Sequence, residues 1–105
     1  MFFTYAGAIY RIAFKHDPVW EVRDWKKEPR RTLCTIYKLQ SGTSTIWKAV
    51  YRGMAKPNLK AGDRFVRSVG REIALMHAIA DAASAFKVAA QVAYDSRAHA
   101  VKEVA

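Results

Sequence analysis

The sequence is poor in cysteine, proline and glycine, with one, three and five of these residues among 105. The single cysteine, Cys34, cannot form a disulfide within the chain, and its apolar neighbours predict a small buried side chain rather than a nucleophile. No run of 18 apolar residues occurs, so no transmembrane helix is expected. The apolar first ten residues have no basic segment before them and are followed by Arg11, which argues against a signal peptide. We therefore expect a cytoplasmic protein.

Acidic residues are also scarce, since nine Asp and Glu stand against eighteen Lys and Arg, for a net charge of +9. The imbalance lies early in the chain. Residues 1–60 hold twelve basic and four acidic side chains, whereas residues 61–105 hold six and five. A basic surface attracts polyanions, so the expected partner is a nucleic acid, DNA or RNA, or an acidic protein surface, and not a membrane.

The chain lacks the residue patterns of common catalytic and metal sites. Its three histidines, His16, His77 and His99, lie far apart and have no companion cysteine, so zinc-binding spacing is absent. No nucleophile elbow, phosphate-binding glycine loop or pair of acidic residues is evident. We therefore expect no enzyme, no metal site and no cofactor.

Hydrophobic patterning predicts four strands before a long helical region. Residues 3–15 and 19–25 alternate as strands do, and a basic connector containing Pro29 follows them. The clearest hairpin joins residues 32–40 to residues 45–53, because both segments are rich in β-branched and aromatic residues. Gly42 suits a type II′ turn between them.

That turn would pair residues whose numbers sum to 85, which assigns each hairpin residue to one of two faces. The face expected to contact the helix consists of Cys34, Ile36, Trp47, Ala49 and Tyr51. The face expected to lie nearer the solvent is partly aromatic and partly basic, with Leu33, Tyr37, Leu39, Ile46, Lys48, Val50 and Arg52.

A helix is predicted from Asp63, a suitable N-cap, to about residue 83. Gly70 inside this helix indicates a close approach to the sheet. After Ala83 the apolar phase changes, so the helix either breaks near residues 82–84 or continues with a new apolar face. The expected core face recurs at helical spacing and consists of Val66, Val69, Ile73, Met76, Ala80 and Ala83, flanked by Phe65 and Ile79.

The predicted fold class is α+β: an antiparallel sheet of three to four strands packed on a long C-terminal helix that is broken near Ser84. Residues 1–83 would form the core domain. Residues 84–105 would form an alanine-rich helical tail, either used for self-association into a homodimer or frayed at the terminus.

Three arginines define the strongest candidate site. Arg64, Arg67 and Arg71 have spacings of three and four, which places them on one helical stripe opposite the predicted core face. The stripe begins at a helix N-terminus, where backbone N–H groups and the helix dipole favour anions. Lys56 and Lys60 precede it. This pattern indicates a phosphate-binding surface, and the alternative is an ordinary solvated helix face.

A second candidate site combines basic and aromatic residues, because aromatic rings stack on unpaired bases while cations contact phosphates. The alternative is burial of the tryptophans at a sheet edge and solvation of the basic connector. Stacking is assigned to Trp20, Trp25 and Tyr37. The basic members are Lys15, Arg23, Lys26, Lys27, Arg30, Arg31, Lys48 and Arg52.

The segment from Asp63 to Leu75 resembles the helix start of a group of small bacteriophage-encoded proteins, in which a strand pair leads through a Lys/Pro loop into a helix of pattern D-x-F-x(4)-G-R-x-x-A-L. The resemblance covers about a third of the chain, from Trp47 to Ile79, and implies phage origin, a host-cytoplasmic location and a small accessory role. The matching residues are Asp63, Phe65, Gly70, Arg71, Ala74 and Leu75.

Two fold analogies bear on function. The hairpin, Lys-rich loop and helix resemble the second half of a double-stranded-RNA-binding domain, although that family has a helix where residues 1–15 read as strand. The order of four strands and a helix resembles the transcriptional-coactivator type of single-stranded-DNA-binding fold, which dimerises through its helix.

Two function hypotheses follow. The first is a non-enzymatic protein that binds nucleic acid through an Arg/Lys face. The second is a phage inhibitor of a host defence or nucleic-acid-processing complex, comparable to anti-CRISPR proteins, that acts by protein–protein binding.

Overall fold

The computed structural model describes residues 1–18, 30–42, 45–56 and 67–104. The four strands form one antiparallel sheet in the order β1-β2-β3-β4. The predicted α+β class is confirmed. The elements in chain order are β1 (Phe2–Tyr5), β2 (Ala8–Pro18), β3 (Arg30–Leu39), β4 (Trp47–Ala55), α1 (Arg67–Ala78) and α2 (Ser84–Val104).

The first hairpin replaces the single strand predicted over residues 3–15. Tyr5 pairs with Ala8, and Ala6 and Gly7 form the turn between them with φ values of 50° and 77°. Positive φ at both turn positions is the geometry of a type I′ turn, whose twist matches that of the paired strands. Alanine rarely adopts a positive φ, so the sequence gives little warning of this turn. The strand predicted at residues 19–25 lies outside the described residues.

The second hairpin forms where predicted but in another register. Ile36 pairs with Tyr51, whereas the next residue, Tyr37, pairs with Ala49. Val50 is therefore an extra residue in β4, a β-bulge that shifts the alternation of every side chain before it.

The bulge corrects the predicted faces of this hairpin. Trp47 and Ala49 lie on the same side of the sheet as Tyr37, so the prediction that they contact the helix is wrong. Lys48 lies on the opposite side from them. The connection is also longer than a two-residue turn, since the N–H of Gln40 donates to the carbonyl of Ile46 at 2.9 Å.

Both helices pack on one face of the sheet. α1 contacts β3 and β4, and α2 contacts β1. Of the two alternatives that the sequence leaves open, a broken helix or a continuous one, the structure has the break, because α1 ends at Ala78 and α2 begins at Ser84. The buried core is shared by the sheet and the helices and comprises Tyr10, Ile12, Cys34, Ile36, Ala55, Ala74, Leu75, Ala78, Ile79, Phe86, Ala90 and Tyr94.

Phe86 on α2 lies at the centre of this core. It is 2% exposed, and its ring centroid lies 5.0 Å from that of Tyr10 and 5.0 Å from that of Tyr51. Tyr94, two turns later, packs edge-on against Phe14 at 5.8 Å. A domain boundary at Ser84 would separate these residues from the sheet, whereas the structure packs them into its core. Self-association through the rest of α2 stays a prediction.

α1 packs on the sheet through a different face from the one predicted. Leu75 is fully buried, whereas Met76, a member of the predicted core face, is 57% exposed. The prediction of that core face is wrong. Its described members are all exposed to solvent: Val69, Ile73, Met76, Ala80 and Ala83.

Small side chains explain this orientation of α1. A Cβ atom on Gly53 would overlap the backbone of Ala74 and Ala78, so the helix backbone rests directly on β4. A Cβ on Gly70 would lie 2.5 Å from Oγ1 of Thr32, so the predicted close approach of Gly70 to the sheet is confirmed. The backbone contact at Gly53 and the close contact at Gly70 both require the small-residue face of α1 to point inward.

Candidate nucleic-acid interface

The side of the sheet that neither α1 nor α2 covers is called the open face. The pairing register places Phe2, Arg11, Tyr37 and Ala49 in one row across all four strands. Trp47 lies next to this row because of the bulge in β4. The remaining described residues on the open face include Thr4, Ile9, Ala13, Lys15, Arg31, Leu33, Thr35, Leu39, Arg52 and Met54.

Arg11 organises the aromatic residues of the open face. Its guanidinium carbon lies 4.8 Å from the ring centroid of Tyr37 and 5.2 Å from that of Trp47. Both distances are within the range of cation–π attraction, which is worth about 0.5–2 kcal/mol. The Nε of Arg11 is buried and has no hydrogen-bond partner within the described residues. Both rings therefore contact this cation, which holds them together on the open face.

Phe2 extends the aromatic cluster to the edge of the sheet. Its ring centroid lies 6.0 Å from that of Trp47, with a tilt of 48° between the planes, and the side chain is 65% exposed. One exposed apolar ring is ordinary on a protein surface, but a contiguous group of rings is typical of a binding surface. Phe2, Arg11, Tyr37 and Trp47 together form what we call the aromatic cluster.

Basic residues surround the aromatic cluster along the strands. Lys15, Arg31 and Arg52 are exposed and lie on the open face by register. Within the described strands, the register places one acidic position, Asp17, on the same side, where it pairs with Arg31 at the far end of the sheet. The open face therefore combines stacking groups at one end with cations towards the other.

The structure describes two of the three arginines of the strongest sequence-based site. Arg64 lies outside the described residues. Arg67 is exposed at the start of α1, and Arg71 is half-buried and lines a cavity on the helix-bearing side of the sheet. Both follow the same helical stripe as the buried Ala74 and Ala78. The prediction that this stripe lies opposite the face that packs on the sheet is therefore wrong.

The other predicted binding residues are distributed over both sides of the sheet. Tyr37 and Arg52 lie on the open face, Lys48 lies on the other side, and Lys56 is exposed just after β4. Arg30 pairs with Pro18 at the end of β3. Besides Arg64, the predicted residues that lie outside the described part of the chain are Trp20, Arg23, Trp25, Lys26, Lys27 and Lys60.

Cys34 behaves as the sequence predicts. It is fully buried and free, and burial raises the pKa of its thiol to about 12. Because the nucleophilic form of cysteine is the thiolate, this side chain is a packing residue.

Three members of the aromatic cluster are absent from the sequence-based candidates, namely Phe2, Arg11 and Trp47. Phe2 and Arg11 become neighbours only through the turn at Ala6 and Gly7, which the alternation pattern did not reveal. A glycine between two aromatic-rich alternating segments was the available signal. Trp47 was assigned to the wrong face because of the bulge in β4, and no residue near the bulge predicts it from the sequence.

Comparison of the chain with protein-family models, with curated proteins and with solved structures gives no match. The class of protein is therefore defined by the fold and by the open face alone. Among the described residues, no helix combines the length and the apolar character that a membrane crossing requires.

Proposed function

We propose that this is a non-enzymatic protein whose open face binds single-stranded nucleic acid. The observation that carries the proposal is the aromatic cluster around Arg11, which lies on the side of the sheet that neither α1 nor α2 covers, beside exposed basic residues. Unpaired bases stack on aromatic rings and on arginine planes, with about 1–3 kcal/mol per stacked base. Cations at the surrounding positions meet the phosphates that link those bases.

The shape of the open face favours a single strand over a duplex. A four-stranded sheet presents its rings side by side, which suits bases that are splayed out of a helix. The bases of a duplex are stacked on each other, and a duplex would meet the open face only through its phosphates. Both RNA and DNA have the required bases and phosphates, so the binding test decides which of the two is preferred.

Binding is tested by fluorescence anisotropy with labelled single strands of about 12 nucleotides, RNA and DNA, and with a duplex of the same sequence. We expect the single strands to bind more tightly. Contacts to Lys15, Arg31 and Arg52 predict that log K falls with log [salt] with a slope of about −2. Phe2→Ala, which removes a largely exposed ring, should weaken binding roughly tenfold without changing the salt slope.

A matched pair of charge reversals identifies the face that binds. Arg52→Glu on the open face and Arg67→Glu on α1 change the net charge equally, and both side chains are exposed. We expect a large loss of affinity only for Arg52→Glu. Equal losses would show that binding follows net charge alone, and a larger loss for Arg67→Glu would transfer the site to the start of α1. No binding of any strand at low salt would contradict the proposal.

The second proposal is inhibition of a host nucleic-acid-processing complex by protein–protein binding. The same open face supports it, because exposed cations beside aromatic rings complement an acidic surface that otherwise holds nucleic acid. The two proposals are separated by affinity capture from nuclease-treated host lysate with the wild-type protein and Arg52→Glu. One stoichiometric protein captured only by the wild type favours the inhibitor, whereas an elevated absorbance ratio at 260 and 280 nm in untreated preparations favours nucleic-acid binding.

A further inference from the structure

A cavity lies on the opposite side of the sheet from the open face. It has a volume of about 280 Å³, lies beside α1 and is lined by Met1, Ile12, Phe14, His16 and Arg71. Three of these side chains form an apolar floor, and the other two carry nitrogen. The aromatic cluster contributes nothing to it, so this cavity is independent of the proposed nucleic-acid site.

The position of Arg71 in this cavity is set by neighbouring contacts. Gly70 lies directly on Thr32, which fixes the start of α1 against β3. The hydroxyl of Thr32 is hydrogen-bonded to Nδ1 of His16 at 3.0 Å, so His16 is held beside the place where Arg71 enters. Because Gly70 and Arg71 are adjacent in α1, this contact with Thr32 sets where the Arg71 side chain begins.

Among the described residues, no carboxylate pairs with the guanidinium of Arg71, which acts electrostatically on the phenol of Tyr94. The side chain is half-buried, and within the described residues it forms no hydrogen bond or ion pair. A half-buried cation without a partner destabilises the folded state unless an anion compensates it. Its surroundings are apolar on one side, where Ile12 is 3% exposed.

We propose that this cavity binds a small organic anion, a carboxylate or phosphate ester with an apolar body, through Arg71. The acidic group meets the guanidinium, where charge-assisted hydrogen bonds are strongest. The apolar body lies against Ile12, Phe14 and Met1. His16 supplies a second polar group beside the bound acidic group.

The three methionines of the chain make the test site-specific. Met1 lines the cavity, Met54 lies on the open face, and Met76 lies on the exposed side of α1. In protein labelled with ¹³C at the methionine methyl groups, each surface therefore has its own NMR signal, which Met54→Leu and Met76→Leu assign. Nucleic acid should shift the Met54 signal, whereas a cavity ligand should shift that of Met1.

The probes are benzoate, phenyl phosphate, inorganic phosphate and benzamide, a neutral molecule of nearly the same shape as benzoate. We expect benzoate or phenyl phosphate to shift the Met1 signal at concentrations at least tenfold lower than benzamide. Saturation by inorganic phosphate alone would show a simple phosphate site without a need for the apolar body. Equal binding of benzoate and benzamide, or shifts confined to Met54 or Met76, would overturn the proposal.

Two arginines one helical turn apart provide the control. Arg71→Gln should remove the preference for benzoate over benzamide, whereas Arg67→Gln, with the same change of charge, should leave it intact. Arg71→Lys, which keeps the charge, should retain part of the preference and shows whether the glutamine variant fails through charge or through folding. An equal effect of Arg67→Gln and Arg71→Gln would contradict a site built around Arg71.

Discussion

Gly53 shows how one residue sets the depth at which α1 packs. Its missing side chain leaves room for the backbone of Ala74 and Ala78, which a Cβ atom would overlap. Gly70 makes the reciprocal contact from the helix, but there the neighbour is the side chain of Thr32 rather than backbone. Thr32 is fully buried and hydrogen-bonded to His16, so its displacement also has a cost, but a side chain still moves more readily than two packed backbones.

Gly53→Ala is therefore expected to lower the free energy of unfolding by about 1–3 kcal/mol or more, because the helix must move away from the sheet. Gly70→Ala should be less damaging, since alanine in a helix regains about 1 kcal/mol relative to glycine. Urea denaturation of both variants measures the difference. Equal losses for the two variants would mean that α1 is not held by the contact at Gly53.

At the scale of the helix, α1 has two apolar stripes, and only packing chooses between them. Val69, Ile73 and Met76 form the stripe with the larger side chains, whereas the stripe that contains Ala74, Leu75 and Ala78 is smaller. Burial of the larger stripe would remove more apolar surface from water. The structure buries the smaller stripe because it alone permits close contact with Gly53 and Thr32.

Adjacent residues on α1 test this orientation. Leu75→Ala should lower the free energy of unfolding by about 2–5 kcal/mol, because it removes a fully buried side chain. Met76→Ala, at an exposed position, should have a free energy of unfolding within about 0.5 kcal/mol of that of the wild type. Denaturation curves recorded under the same conditions provide the comparison. A larger loss for Met76→Ala would restore the orientation that periodicity alone predicts.

In the hairpin of β3 and β4, too, some features follow from local sequence signals and others from tertiary packing. Its existence and its position follow from β-branched and aromatic residues around Gly42, which are local signals. Its register depends on the bulge at Val50, for which there is no local signal. One extra residue moves Trp47 to the open face, beside Arg11 and Tyr37, and so decides the composition of the candidate site.

At the scale of the whole molecule, three buried titratable groups make the fold sensitive to alkali. Burial raises the pKa of Cys34 to about 12, and burial also raises those of Tyr10 and Tyr94. Glu72 raises the pKa of Tyr94 further, whereas Arg71 lowers it. Each of these groups prefers its protonated, neutral form in the folded state more strongly than in the unfolded state.

The contribution of these groups to the free energy of unfolding should consequently be constant below about pH 8.5. It should decrease as the pH rises towards 12, because the unfolded chain loses these protons at a lower pH than the folded chain. Cys34 alone contributes a slope of up to about 1.4 kcal/mol per pH unit in this interval. Denaturant titrations across the alkaline range measure the slope. Cys34→Ala, although less stable overall, should show a shallower slope, and an unchanged slope would contradict the burial of a protonated thiol.

The sequence by itself determined the α+β class, the hairpin of β3 and β4, the buried Cys34 and the excess of basic residues. These features depend on periodicity, on propensity and on composition, which are local properties of the chain. Only the tertiary structure decided which stripe of α1 is buried, where Arg71 points, and that Phe2, Arg11, Tyr37 and Trp47 form one surface. Those outcomes depend on a type I′ turn, on a bulge and on a close backbone contact between β4 and α1. The contact joins residues that are distant in sequence, and it forms only because the side chains of both partners are small. No local sequence pattern reveals such a match.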